Sequence, residues 1–334
     1  MSDPTGLVDR FGRVHRDLRI SLTDRCNLRC TYCMPAEGVP WIPRPDLLST
    51  DELVSLVEVF ARLGIVEARL TGGEPLLRPD IVDIVARLSA IEGQQGPLRI
   101  SITTNGIGLS NLAGPLAEAG LERFNISLDT LRADRFAKLT RRDRIDDVLA
   151  GIAAASATGL RPLKINTVAM RGVNDDELAD LLRFARDHDA QLRFIEQMPL
   201  DAGHTWSRAQ MVTGEEILEA LTAEFELTAK PGRGSDPAQQ FIVDGGTTTV
   251  GVIASVTAPF CGACDRVRLT ADGQLRNCLF ATGESDLRGL LRSGATVDDI
   301  EAMIRESVTA KRAGHGIDDP GFLQPDRPMS AIGG

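Results

Sequence analysis

A regular alternation of strand-like and helix-like segments over the first 200 residues limits the possible folds more than any other feature. The strand-like runs are short and apolar, whereas the segments between them repeat apolar residues at the spacing of an amphipathic helix. The predicted strands are Leu18–Thr23, Val66–Thr71, Leu98–Thr103, Arg123–Leu128, Leu163–Ala169 and Gln191–Glu196. The predicted helices are Asp51–Leu63 with Ser49 or Thr50 as its cap, one after Pro79, one from near Ser110, one in the 130s, Ile145–Thr158 and Asp175–Asp187.

This alternation implies right-handed βαβ crossovers and a parallel sheet. Six units are fewer than the eight of a closed barrel, so the expected fold class is α/β, with a partial, open (βα)6 barrel of the TIM type. Such sheets carry their chemistry at the carboxyl ends of the strands. The candidate motifs follow the first four strands, and they are Cys26–Cys33, Gly72–Pro75, Asn105–Gly106 and Asp129.

The pattern changes near residue 200, where short strand-like pieces and a stretch rich in Gly, Pro and Thr (231–250) replace the alternation. We therefore expect residues 1–200 to form the barrel and residues 201–334 to form a smaller C-terminal domain. Because Ala313–Gly334 contains many Gly and Pro residues, we expect it to be a mobile tail.

The composition excludes some classes of function. No run of about 18 apolar residues could span a bilayer, and the polar N-terminus lacks the apolar stretch of a secretory signal, so we expect a cytoplasmic protein. The net charge of −10 argues against a non-specific surface for nucleic acid or anionic membrane. It does not exclude a small anion held by a few buried arginines, because distant surface charge is screened.

The six cysteines form two triplets, with none between them. Clustered thiols in a reducing compartment indicate metal. Cys26, Cys30 and Cys33 have the spacing C-x3-C-x2-C, which can hold three irons of a [4Fe–4S] cluster and leave the fourth iron open. A structural zinc loop is the alternative, but it requires four ligands, and no histidine lies nearby in the sequence.

The second triplet, Cys261, Cys264 and Cys278, has the spacing C-x2-C-x13-C and again offers three thiols. We favour a second [4Fe–4S] cluster with an open iron. A zinc knuckle completed by His315 and a redox-active Cys261–Cys264 disulfide remain alternatives, although the disulfide leaves Cys278 unexplained.

Two arginines, Arg266 and Arg268, lie beside the second triplet in an extended segment. Residues two apart in a strand share a face, so the two guanidinium groups could clamp a phosphate. A solvated strand with a charged outer face is the alternative.

The first triplet, with Tyr32 before its last cysteine and Gly72-Gly73-Glu74-Pro75 after the second strand, resembles the radical S-adenosylmethionine superfamily. In that superfamily a reduced cluster passes one electron to the sulfonium of S-adenosylmethionine, and the resulting 5′-deoxyadenosyl radical abstracts hydrogen from the substrate. The resemblance implies that this chain binds S-adenosylmethionine through Tyr32, Gly73, Ser127 and Met198. Met198 alone would be interpreted as ordinary core.

Within the superfamily the chain is similar, from about Phe11 to its C-terminus, to the GTP 3′,8-cyclase family of molybdenum cofactor biosynthesis. Both triplets, the Arg-x-Arg and the terminal Gly333-Gly334 carry this resemblance. It implies that the radical removes the ribose 3′ hydrogen of GTP, that the carbon radical attacks guanine C8, that the second cluster binds the base and that the terminal glycines reach the active site. The GTP-binding positions it implies are Arg19, Arg69, Thr103, Lys164, Arg266, Val267 and Arg268.

The resemblance further implies a homodimer, an external electron donor and transfer of the product to a cyclic pyranopterin monophosphate synthase. The chain has no P-loop and no Asn-Lys-x-Asp motif, so GTP would be a substrate and not the ligand of a GTPase. One stretch, Thr140-Arg141-Arg142-Asp143, departs from the family pattern, and we expect an altered loop near the triphosphate there, with the role of Arg141 left open.

Two other functions remain open from the sequence. A radical maturase that modifies a peptide could also carry an auxiliary cluster, although such enzymes usually display more cysteines. A scaffold with two zinc ions that binds a partner would need no catalysis.

Overall fold

The computed structural model describes residues 6–333, and Met1–Thr5 and Gly334 lie outside the described residues. A short hairpin precedes the alternating units, and a second small hairpin interrupts them. The strands of residues 6–200 are β1 (Leu7–Val8), β2 (Val14–His15), β3 (Asp17–Ser21), β4 (Glu67–Thr71), β5 (Glu92–Gly93), β6 (Gly96–Pro97), β7 (Arg99–Thr104), β8 (Leu121–Ser127), β9 (Leu163–Ala169) and β10 (Ala190–Glu196). The helices are α1 (Thr50–Arg62), α2 (Ile81–Ser89), α3 (Leu109–Glu118), α4 (Ala133–Thr140), α5 (Ile145–Ala157) and α6 (Leu178–Asp187).

The six predicted strands are confirmed as consecutive neighbours in one sheet, in the order β3, β4, β7, β8, β9 and β10, and every pair is parallel. The cap of α1 is Ser49, which accepts a hydrogen bond from the Glu52 amide while the Glu52 side chain accepts one from the Ser49 amide. The described chain is therefore α/β with a largely parallel sheet.

Helix α6 begins later than predicted because Asn174 holds the preceding turn. The Asn174 side chain donates to the carbonyl oxygens of Asp129 (2.7 Å) and Val168 (2.9 Å) and accepts from the Met170 amide (2.8 Å). A side chain that binds local backbone groups in this way favours a turn over a helix.

The C-terminal elements extend both edges of this sheet. They are α7 (Gly214–Thr222), β11 (Leu227–Ala229), β12 (Gln239–Val243), β13 (Thr249–Ile253), β14 (Arg266–Leu269), β15 (Gln274–Arg276), β16 (Ser285–Asp286), α8 (Leu287–Arg292), α9 (Val297–Thr309) and α10 (Met329–Ile332). Strand β13 pairs with β10 and β14 pairs with β3, both in parallel. Twelve strands of the described chain therefore form a single sheet.

The two faces of the sheet differ in polarity. Alternate residues such as Leu18, Ile20 and Val267 are fully buried with the apolar faces of the helices in one large core. The residues between them point to the opposite face, which carries Arg19 and Arg69 among others. A closed barrel fills its interior with bulky apolar side chains, so this polar interior indicates space for a ligand.

The prediction of a mobile tail is wrong for the described part of Ala313–Gly334. Helix α10 buries Ile332 completely, and Arg327 pairs with Asp272 at 2.7 Å. The composition could not reveal this order because the tail is held by residues distant in the sequence and not by its own apolar pattern. Gly334 lies outside the described residues, so the prediction for the terminal pair concerns Gly333 alone here.

No helix within residues 6–333 is long and apolar enough to cross a membrane.

Candidate active site

A cavity of about 300 Å³ opens on the polar face of the sheet. It brings together residues predicted to bind the first cluster, S-adenosylmethionine and GTP. Those that line it are Arg19, Cys26, Cys30, Tyr32, Cys33, Arg69, Gly73, Thr103, Ser127, Met198, Arg266 and Arg268. The predicted residues outside its lining are Lys164, Val267, Cys261, Cys264 and Cys278.

The loop that carries the first cysteine triplet is pinned to the segment after α4. The amides of Arg29 and Thr31 donate to the carbonyl oxygens of Thr140 (2.9 Å) and Leu139 (3.0 Å). Within the loop, the Cys33 amide donates to the Cys30 carbonyl oxygen at 2.9 Å. All three thiols of the triplet thereby face the same cavity.

The chemistry of these thiols fits an iron–sulfur cluster. Burial raises the pKa of Cys26 to about 11, with the Glu74 charge adding to the rise, and burial raises the pKa of Cys33 to about 12, with the Cys26 thiolate adding to the rise. Bound metal removes this penalty because a coordinating thiol is deprotonated outright. The Leu28 amide (3.4 Å) and the Asn105 side chain (3.9 Å) already donate to the Cys26 sulfur, as hydrogen bonds to cluster sulfurs do.

Arg141, whose role the sequence left open, lies against the loop that carries the first cysteine triplet. It ends α4 with a left-handed backbone (φ 55°), and its guanidinium donates to the carbonyl oxygens of Arg29 (2.6 Å) and Met34 (3.2 Å). The Thr140–Asp143 segment therefore supports the loop of the first triplet through the Arg141 side chain.

The paired glycines after β4 lie directly against the loop that leads into Cys26. The Gly73 amide donates to the Thr23 carbonyl oxygen at 2.7 Å. A Cβ at Gly73 would lie 2.5 Å from the Arg25 carbonyl carbon and 2.6 Å from the Asp24 oxygen, so only glycine fits. The close approach that the sequence indicated is made to the protein's own backbone, while Gly73 also lines the cavity.

Glu74 and Asp129 are buried carboxyls at the carboxyl ends of their strands. Glu74 accepts hydrogen bonds from Thr104 Oγ1 (2.6 Å) and from the Asn105 (2.7 Å) and Leu76 (3.0 Å) amides, yet burial raises its pKa to about 7. Asp129 accepts from the Tyr32 hydroxyl at 2.7 Å, and burial raises its pKa to about 6. Asp129 therefore fixes Tyr32, the aromatic of the first triplet, at the cavity wall.

Cationic side chains crowd the strand interior below these carboxyls. Arg19 pairs with Asp17 (3.1 Å), Arg69 with Glu67 (3.1 Å) and Arg266 with Asp17 (3.5 Å). Buried ion pairs therefore exist, and yet the cations outnumber their carboxylate partners. Within residues 6–333, five cations (Arg19, Arg69, Arg123, Arg193 and Arg266) pair with only three carboxylates, Asp17, Glu67 and Asp236, and two more, Lys164 and Arg268, have no ion pair.

Sequence reasoning missed Arg193 and Arg123. Arg193 is 4% exposed and pairs with Asp236 at 3.1 Å, and Arg123 pairs with Glu67. Each is a charged residue inside a predicted buried strand, as are Arg19 and Arg69, which were assigned through the family resemblance. A search of every predicted strand for such charges would have found both.

Arg266 and Arg268 do share the face toward the cavity, as predicted, whereas the Val267 side chain is fully buried in the core. The Arg266 guanidinium lies 4.6 Å from the centre of the Phe260 ring. Arg268 donates to the Gly333 carbonyl oxygen, so Gly333 lies inside the cationic interior. Gly333 (φ 84°) packs so closely on Thr71 and Ser21 that a side chain there would collide with them.

The second triplet is held by the N-terminal hairpin and by the segment after α9. Arg13 donates to the carbonyl oxygens of Cys261 (2.7 Å) and Arg312 (2.7 Å), and Lys311 donates to the Cys264 sulfur at 3.5 Å. Burial opposes ionisation of the Cys264 thiol, but the charges of Lys311 and Arg266 outweigh it and lower its pKa. A stabilised thiolate beside two further thiols is a donor set that suits a metal cluster.

The contacts of His315 argue against a zinc site that this histidine would complete with the second cysteine triplet. His315 Nε2 donates to the Ser255 carbonyl oxygen (3.0 Å) and Nδ1 accepts from the Ile317 amide (3.0 Å), so both ring nitrogens are engaged. Within residues 6–333 no three His, Cys, Asp or Glu side chains are grouped as ligands of one metal ion. A [4Fe–4S] cube places each thiolate on a different iron and so needs a wider arrangement than one ion does.

Solved structures with the same fold support the architecture. The chain is similar to Streptococcus suis SuiB (14% identity, TM-score 0.59, 89% of this chain and 69% of that one). It is also similar to anSMEcpe with bound AdoMet and a peptide (14% identity, TM-score 0.57, 90% of this chain and 81% of that one). At this identity the likeness concerns the fold alone.

Family models and curated relatives cover nearly the whole chain. Residues 20–185 match the model of the radical SAM superfamily, and residues 190–317 match the model Molybdenum Cofactor Synthesis C. GTP 3′,8-cyclase of Streptomyces coelicolor is 60% identical, over 98% of this chain and 96% of its own length. GTP 3′,8-cyclase 2 of Mycobacterium tuberculosis is 54% identical, over 98% of this chain and 92% of its own length. This chain belongs to the GTP 3′,8-cyclase family of the radical S-adenosylmethionine superfamily.

Proposed function

We propose that this protein converts GTP to (8S)-3′,8-cyclo-7,8-dihydroguanosine 5′-triphosphate, the first step of molybdenum cofactor biosynthesis. The observation that carries the proposal is the continuity of one cavity from the first cysteine triplet to a buried field of arginines. A nucleoside triphosphate needs cations for its phosphates, and a radical enzyme needs its substrate beside the source of the radical.

In this proposal Cys26, Cys30 and Cys33 hold a [4Fe–4S] cluster, and Tyr32, Gly73, Ser127 and Met198 contact S-adenosylmethionine. The cluster and S-adenosylmethionine together supply the radical that removes the ribose 3′ hydrogen. The protein itself excludes water and holds the cluster, S-adenosylmethionine and GTP in position. Tyr32 is oriented by Asp129, and Asn105 donates to both Asn27 (2.7 Å) and the Cys26 sulfur.

The GTP site would comprise the cations of the strand interior. Arg19, Arg69, Lys164, Arg266 and Arg268 would bind phosphates, with Thr103 at the cavity wall. Val267 would contribute only its backbone, because its side chain is buried in the core. Arg193 joins this set on the same grounds of burial and charge. A second [4Fe–4S] cluster on Cys261, Cys264 and Cys278 would hold the guanine base.

The domain division belongs to the same proposal. Residues 1–200 would act as the partial barrel, and residues 201–334 would close it, since β13 and β14 pair with its two edge strands. A homodimer, an external electron donor and delivery of the product to a cyclic pyranopterin monophosphate synthase complete the proposed setting.

Action on a peptide is the second candidate, and it has weaker support. A solved structure of SuiB with its precursor peptide has a TM-score of 0.60 to this chain, but the identity is only 13%. The relatives that are 54–60% identical are GTP 3′,8-cyclases.

The proposal is tested on anaerobically reconstituted protein with S-adenosylmethionine and dithionite. We expect 5′-deoxyadenosine to form faster with GTP than without it, and neither a peptide nor ATP to replace GTP. Formation at the same rate with and without GTP would refute the proposal. Metal analysis should find about eight irons per chain for two clusters. About two zinc ions without sulfide would instead favour the scaffold.

Two matched variants separate the clusters. Cys33→Ser should abolish cleavage of S-adenosylmethionine. Cys278→Ser should keep about four irons and the slow cleavage without substrate, but it should lose the stimulation by GTP. Equal behaviour of the two variants would contradict the assignment of separate roles.

A further inference from the structure

Lys164 stands apart from the other cations of the strand interior. It is 8% exposed, and its ammonium makes no hydrogen bond or ion pair with any side chain or carbonyl of residues 6–333. Each of the arginines nearby has at least one acceptor, such as Ser101 for Arg69 (3.3 Å) or Asp236 for Arg193 (3.1 Å). The ammonium nitrogen keeps some accessible surface, but a largely buried charge without a protein acceptor is still costly.

The charges around Lys164 are mainly of its own sign. Strand β9 lies between β8 and β10, which carry Arg123 and Arg193, and Arg69 on β4 acts from across the interior. Asp236, in the loop before β12, is the opposing charge. However, the Asp236 carboxylate is already occupied by Arg193 (3.1 Å), Gln240 (2.9 Å) and the Ala238 amide (3.0 Å).

The next carboxylates are also engaged. Glu67 pairs with Arg69 and Arg123, and Asp17 pairs with Arg19 and Arg266. Lys164 therefore lies in a cage of arginines whose carboxylates are used elsewhere. Burial, followed by the charges of Arg193, Arg123 and Arg69, lowers its pKa to about 6.

We propose that Lys164 is neutral in the free enzyme and takes up a proton when the nucleotide binds, so that the triphosphate supplies the counter-charge that this cage lacks. The inference rests on the proposed function, because it assigns to that site a proton as a co-ligand of GTP. Arginines cannot act in this way, since a guanidinium stays charged under all ordinary conditions.

Linkage fixes the sign and size of the effect. If binding raises the Lys164 pKa from about 6 towards its ordinary range, nearly one proton is taken up per nucleotide at pH 8. The apparent affinity then falls about tenfold for each pH unit above the pKa of the free enzyme. At pH 8 the phosphates of GTP are fully ionised, because their last pKa is about 6–7, so they do not themselves take up or release a proton.

The test is calorimetric titration of the reconstituted holoenzyme with GTP, without reductant or S-adenosylmethionine, so that no turnover occurs. Titrations at pH 8 in Tris and in HEPES, whose ionisation enthalpies differ, report the number of protons taken up. We expect about one proton per GTP. Binding with the same heat in both buffers would overturn the inference and leave the proposed function intact, whereas absence of any binding would overturn both.

Two variants identify the group that takes the proton. Lys164→Arg carries a permanent charge, so GTP should bind without proton uptake and with a flat affinity between pH 7 and 9. Lys138→Arg is the matched control, because the Lys138 side chain is 81% exposed and so pays no burial penalty for its charge. It should retain the full uptake. Undiminished uptake in Lys164→Arg would overturn the assignment, and the wild-type titration alone decides the proposal if that variant fails to fold.

Discussion

Replacement of Gly73 by alanine tests how closely the Gly72-Gly73 segment lies against the cluster loop. The new Cβ would lie 2.5 Å from the Arg25 carbonyl carbon and 2.6 Å from the Asp24 oxygen. Ordinary contacts between carbon atoms begin at about 3.5 Å, so the backbone of Asp24 and Arg25 or of Gly73 must move by about 1 Å. No flexible side chain can absorb this shift, because all the near atoms belong to the backbone just before Cys26.

Overpacking of this kind costs about 1–3 kcal/mol, and contact between rigid backbones belongs at the upper end of that range. For a chain of 334 residues this lowers the melting temperature by about 3–4 °C. The larger effect should be on activity, since a displacement of about 1 Å in a reacting constellation can cost about 100-fold in rate. We therefore expect a small loss of stability and a large loss of S-adenosylmethionine cleavage.

Gly114→Ala is the matched control. Gly114 lies inside α3, and a Cβ there would meet nothing within 4 Å. Alanine in a helix interior is favoured over glycine by about 1 kcal/mol, but Pro115 disfavours a helical alanine just before it, so this variant should melt close to the wild type and keep full activity. Thermal melts followed by circular dichroism and assays of 5′-deoxyadenosine formation measure both effects. A Gly73→Ala variant with wild-type melting and wild-type cleavage would refute the steric reasoning.

Three further predictions concern other parts of the site. Arg13→Lys removes the planar guanidinium that holds the Cys261 loop. The iron content should therefore fall from about eight to about four per chain, while cleavage of S-adenosylmethionine without GTP persists. Equal loss of both clusters, measured by electron paramagnetic resonance, would contradict this prediction. Because burial raises the pKa of Glu74 from 4.5 to about 7, the folded state binds that proton more tightly, and the free energy of unfolding should fall as pH rises through this interval. Glu74→Gln should flatten this decline in urea titrations, and an unchanged slope would show that another group is responsible. Truncation after Ile332 removes the carbonyl that Arg268 contacts, so GTP-dependent turnover should drop while cleavage without GTP is kept; full turnover would argue against a role for the tail.

The positions of strands and of most helices could be predicted from the sequence because they depend on near neighbours. Apolar spacing of two or of three to four residues is a local property, and it located β9 without error and α1 within one residue. The start of α6 was misplaced because the side chain of Asn174 binds Asp129, which is 45 residues earlier in the chain. A local pattern carries no information about such a contact.

The candidate site divides in the same way. The two cysteine triplets and the Gly72-Gly73 pair could be identified as site residues from the sequence, because their chemistry depends on spacing within a short segment. The charged residues inside buried strands could also be found from the sequence, although Arg193 and Arg123 were overlooked. The resemblance to a family then assigned roles that the residues alone had left open.

Only the tertiary structure decided which of these residues meet and what surrounds them. The order of the tail, the support of the first triplet by Arg141 and the contact of Arg13 with Cys261 all depend on residues that lie about 55 to 250 positions apart in the chain. The state of Lys164 is of the same kind, since its neighbours come from separate strands. The sequence by itself determined the elements and the reactive groups, because these are local; the fold decided charge, proximity and order, because burial and Coulomb interactions depend on the arrangement of the whole chain in space.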